Sequence, residues 1–94
     1  MVKYIFPAIF TLDKNDPVYP NGVYLVNFPD LEGTYTYGET LEEAYDMAED
    51  VLATILLYLK EQNKDIPPMS NPKDIKYNSN SFVSLVKVDL NNFL

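Results

Sequence analysis

Tyr4, Phe6, Ala8, Phe10 and Leu12 occupy alternate positions of the opening segment. That period of two marks a strand with one buried face, and a first strand is expected over residues 2–12. Pro7 has no N–H to offer a neighbour, which predicts a sheet edge or a bulge at that point. The polar run DKNDPVYPNG, 13–22, ends in the turn dipeptide Asn-Gly and predicts a long hairpin loop. Further strands are expected at VYLVNF, 23–28, and TYTY, 34–37, with Asp30 to Gly33 turning the chain between them.

The period then changes. Leu41, Ala44, Tyr45, Ala48, Val51, Leu52, Ile55, Leu56 and Leu59 recur at helical spacing and predict a helix reaching about Gln62 with one broad apolar stripe. Its start is the capping box Thr-Leu-Glu-Glu: the Thr40 hydroxyl accepts from the Glu43 amide, and the Glu43 carboxylate reaches back. Such a cap contributes about 1 kcal/mol. Glu42 and Glu43 also suit the positive end of the helix dipole. Residues 63–81 read as a Pro/Asn/Ser loop, and FVSLVKVDL, 82–90, as a fourth strand. The order β-β-β-α-β predicts an α+β fold, an antiparallel sheet with one helix on one face, as a single domain over residues 1–94.

Charge alters the picture of partners more than of fold. The 94 residues carry a net charge of −7. Eight acids (Asp30, Glu32, Glu39, Glu42, Glu43, Asp46, Glu49 and Asp50) and no base lie between residues 30 and 59. All seven basic residues are lysine, so the arginine fork that best reads phosphate and guanine is missing. This chain alone is not expected to bind nucleic acid directly, and a partner with a basic surface is the natural complement. With neither histidine nor cysteine, the commonest general base, the commonest metal ligand and thiolate chemistry are excluded. Gly33 and Gly38 stand outside any phosphate-binding pattern, and each is expected to supply a backbone conformation that other residues resist. The serines have no histidine to activate them. No catalytic residue, metal or cofactor is expected. No apolar run suggests a membrane span, and a cytoplasmic location is the default.

On the helix, Glu42, Asp46, Glu49 and Asp50 project on the side opposite the apolar stripe. A solvated face is the simpler account of such a pattern. However, Leu57 falls inside the acidic sector and Met47 at its border, off the core stripe, and apolar residues inside a charged rim resemble an interface. Asp30 and Glu32 are expected nearby, so Asp30, Glu32, Glu42, Asp46, Glu49, Asp50 and Leu57 are the candidate partner-binding residues.

FPDLEG, a short Thr/Tyr strand and GETLEEA together resemble the HicB antitoxin family. The resemblance is carried by Phe28, Pro29, Asp30, Leu31, Gly33, Gly38, Glu39, Thr40, Glu42, Glu43 and Ala44, with YIFPAIFT near the start, IPPMS at 66–70 and the last strand in support. Thr34 stands where the family often has cysteine. The resemblance implies a truncated RNase H-like fold without the nuclease's carboxylates. It also implies an antitoxin that covers a small basic HicA-type mRNA-interferase toxin, and a homodimer or higher assembly. The motif residues would then be architectural. The family's usual C-terminal DNA-binding domain is expected to be absent from this chain. An orphan HicB-like protein-interaction module, for example a mobile-element accessory protein, is the alternative. A vestigial nuclease is disfavoured, because the strands carry only Asp89 of the carboxylates a metal site needs.

Overall fold

The computed structural model describes residues 3–93; Val2, expected to open the first strand, lies outside the described residues. Strands β1 (Lys3–Asp13), β2 (Val23–Asn27) and β3 (Tyr35–Gly38) are followed by the helix α1 (Leu41–Glu61) and strand β4 (Ser81–Asp89). Two short 3-10 turns, Pro72–Asp74 and Leu90–Phe93, complete the order. The sheet is antiparallel throughout, in the order β3-β2-β1-β4.

β1 is thus interior by order, against the simplest reading of Pro7. The register explains how a proline is tolerated there. β1 pairs with β4 from Lys3 to Thr11 without a bulge, but with β2 only from Ile9 to Asp13. The Leu12 N–H donates toward Asn80 on the β4 side. Hydrogen-bonding direction alternates along a strand, so the nitrogen of Pro7 faces the β2 side, where pairing has not yet begun. Its missing donor interrupts no ladder.

Phe6, Ala8, Phe10, Val26, Val86 and Val88 of the sheet, with Phe28 just past β2, meet Ala44, Ala48, Leu52, Ala53 and Leu56 of the helix in one buried cluster. Phe10 lies in a parallel aromatic stack, with centroids 5.2 Å from Phe82 and 6.0 Å from Tyr45. The helix face differs from the expected stripe at three positions. Leu41 is exposed, because the first turn starts beside the outermost strand with no further strand to cover it. Ala53 is buried and Leu57 is partly buried against the core. The turn Leu90–Phe93 also packs on the helix, and Leu90 belongs to the same buried cluster.

Both helix ends follow their local sequence. Thr40 Oγ1 accepts from the Glu43 N–H at 3.0 Å, while Glu43 Oε1 reaches the Glu39 N–H at 3.3 Å, one residue earlier than the usual box. At the other end Asn63 adopts φ 54°, and the N–H groups of Asn63 and Lys64 donate to Lys60 and Leu59. That pair of bonds closes a Schellman motif, with asparagine in the left-handed position.

Candidate protein-binding surface

The segment from Phe28 to Ala44 forms a rigid corner. Leu31 N–H donates to the Phe28 carbonyl and Thr34 N–H to the Leu31 carbonyl, both at 3.1 Å, while the Phe28 N–H closes the loop onto Thr34. Gly33 has φ 78°, the left-handed value the second turn requires. Phe28, Leu31 and Thr34 are buried. Gly38 acts differently from expectation: its backbone is not left-handed, and its role is close approach. A Cβ there would sit 2.6 Å from Ala44 Cα and 2.8 Å from the Glu43 carbonyl carbon.

The expected binding residues divide between two places. Asp46, Glu49 and Asp50 share a cleft of about 520 Å³ with Lys3, Lys87 and Asp89. The sheet thus brings two lysines to an acidic helix face that looks unopposed in sequence. Glu49 is partly buried there, and desolvation, reinforced by Asp46 and Asp50, pushes its pKa up. Burial likewise raises Tyr45, whose hydroxyl donates to the Leu85 carbonyl at 2.8 Å. Glu42 is exposed in the first turn, away from the cleft lining, and Met47 is exposed as expected.

Asp30 and Glu32 are not beside that group. They border a separate hollow with Ile55, Leu59, Asp65 and Pro67. The Asp30 carboxylate is committed to the chain itself: it accepts from the Ser70 N–H at 2.8 Å and from the Ser70 hydroxyl. It staples the 63–80 loop to the corner, a pairing that forty residues of separation hide from any local pattern. Leu57, expected off the core, packs against it, because the buried side of α1 is wider than the nine-residue stripe.

The sheet also has an uncovered face that no single segment of the sequence reveals. Registers place Ile5, Pro7, Ile9, Leu25, Tyr35, Tyr37, Val83 and Leu85 on the side away from α1. Tyr35, Tyr37, Leu25, Ile5 and Leu85 are exposed. The signal was the alternation of TYTY, but the sheet order was needed to see which side it shows. Among the described residues no group of three or more acids, histidines or cysteines is placed to hold a metal ion. No helix among them is long and apolar enough to cross a membrane.

A four-stranded antiparallel sheet carrying one helix, joined through this corner, defines the HicB-type antitoxin domain. The chain belongs to the family described as HicB_like antitoxin of bacterial toxin-antitoxin system, whose model matches residues 10–94. It is 44% identical over 52 residues to Antitoxin HicB 1 of Photorhabdus laumondii subsp. laumondii, a match covering 55% of this chain and 33% of that protein. The matched stretch therefore spans about a third of the length of this curated relative. In structure the chain resembles a chain of the toxin-antitoxin complex from Streptococcus pneumoniae, with a TM-score of 0.88 and 27% identity over 99% of this chain and 74% of that one. It also resembles the N-terminal domain of Burkholderia pseudomallei antitoxin HicB, with a TM-score of 0.70 and 25% identity over 93% and 100% of the two chains.

Proposed function

We propose that this chain neutralises a small, basic HicA-type mRNA-interferase toxin by binding it as a protein, without enzymatic activity of its own. The observation that carries the reading is the family match across residues 10–94, joined to a net charge of −7 that complements a basic partner. Covering a toxin needs no catalytic group on the antitoxin, only a rigid surface of matching shape and charge. In the same reading the chain acts in the cytoplasm, does not bind nucleic acid directly, and self-associates as a homodimer or higher assembly through a sheet edge or the final strand. Light scattering that gives only a monomer at tens of micromolar would rule out that assembly.

Asp46, Glu49 and Asp50 contribute to the field that draws the toxin in, with Glu42 in the first turn of the helix and Glu32 at the far hollow. Exposed charges of this kind mainly raise the association rate and are screened by salt. The test pairs growth rescue with binding. Co-expression of the chain should restore growth to cells making its cognate HicA-type toxin, and the purified proteins should form a complex. Reversing Asp46, Glu49 and Asp50 to lysine together should slow association several-fold and flatten its salt dependence. Absence of both rescue and complex would refute the antitoxin reading and leave the orphan interaction module. A complex indifferent to the triple reversal would refute only the role of that helix face.

A further inference from the structure

β3 pairs with β2 alone, so its other side is an open sheet edge. The Phe28 N–H donating to the Thr34 carbonyl sets the alternation: even-numbered residues face β2. The N–H and C=O groups of Tyr35 and Tyr37 therefore point outward. Apolar hollows flank this short edge on both faces of the sheet. On the helix side a groove of about 360 Å³ is bordered by Gly33, Thr34, Val51, Ile55 and Tyr58 and reaches the start of β3 at Tyr35. On the uncovered side a hollow of about 280 Å³ lies among Val18, Tyr19, Leu25 and Tyr37.

A strand added to an edge sends successive side chains to opposite faces. Main-chain hydrogen bonds then hold it, and pockets for alternate side chains select it. Two hollows on opposite faces of one edge are the receptor such a segment needs. The surroundings are acidic: Glu32 precedes β3, Glu39 follows it, and Asp16 lines the uncovered-side hollow. We propose that β3 is a docking edge for an extended strand of a basic partner protein, with apolar side chains at alternate positions and lysine or arginine at its ends. The proposal rests on the toxin-binding reading and names the edge that performs it.

Other surfaces suit this partner less. The outer edge of β4 is longer, but its central Leu85 carbonyl already receives the Tyr45 hydroxyl. The helix cleft sets its acids against Lys3 and Lys87, which weakens its field. A second copy of this chain, pairing β3 antiparallel with β3, would set Glu32 of one copy near Glu39 of the other, and like charges in close register are unfavourable.

Amide hydrogen exchange by NMR tests this on the 94-residue chain, free and mixed with its purified cognate HicA-type toxin. The Tyr35 and Tyr37 amides should slow about tenfold or more in the complex, while those of Val83 and Lys87 on the β4 edge keep their rates. Thr54 is exposed and borders the helix-side groove. Thr54→Arg, which fills the groove with a cation, should weaken the complex about tenfold. A complex in which the Tyr35 and Tyr37 amides exchange as in the free chain would overturn the proposal. Protection of these amides in the chain alone would overturn it too, by assigning the edge to a second copy. If no complex forms at all, the antitoxin reading fails first, and the proposal with it.

Discussion

Gly38→Ala places a methyl group where the start of the helix stands. The new Cβ would lie 2.6 Å from Ala44 Cα, 2.8 Å from the Glu43 carbonyl carbon, and closer still to the Ala44 nitrogen. Ordinary carbon contacts are about 3.5–4.0 Å, so the helix must retreat from β3 by roughly 1 Å. All three obstructing atoms are backbone, and no rotamer change relieves them. Overpacking of this kind costs about 1–3 kcal/mol. Alanine also restricts the unfolded chain, which returns about 0.4–1 kcal/mol. The net loss should be about 1–2 kcal/mol, a large part of the roughly 5–14 kcal/mol expected for a domain of this size. Urea unfolding with an m-value of about 1–3 kcal/mol/M resolves such a change as a clear shift of midpoint. Asparagine separates this mechanism from backbone strain. Gly33 needs a left-handed backbone with open space around it, so Gly33→Asn should be tolerated better than Gly33→Ala. Gly38→Asn should be no better than Gly38→Ala. A Gly38→Ala protein within about 0.5 kcal/mol of the parent would refute the close-approach account.

The Asp30–Ser70 staple should appear as coupling in a double-mutant cycle. Asp30→Ala loses both bonds and Ser70→Ala only the hydroxyl bond, so the first should cost more, with a coupling of about 1–2 kcal/mol; additive losses would mean the contact is unimportant. Glu49 holds its proton more tightly folded than unfolded. Its contribution to stability is therefore fully present below the ordinary glutamate range and lost as pH rises through its raised folded value. Thermal melts should show Glu49→Gln more stable than the parent at pH 7, the gap closing on acidification; a gap constant with pH would contradict this.

The local features were legible in the sequence because each depends on near neighbours. Period-two and helical spacing placed all four strands and the helix within a residue or so. Thr40 with Glu43 announced the helix start through a bond spanning three residues. Phe28, Leu31 and Gly33 similarly carried their turn within one short segment. What stayed hidden depends on pairing across the chain. The order β3-β2-β1-β4 made β1 interior, yet left Pro7 facing an unpaired stretch. The core takes in Ala53 and part of Leu57 beside the expected stripe of α1. Asp30 was drawn to Ser70 instead of outward, and Lys3 and Lys87 were set beside Asp46 and Glu49. Charge balance at a surface and exposure of a strand edge belong to no single segment. They are set by which distant segments meet, and period and composition do not encode that meeting one window at a time.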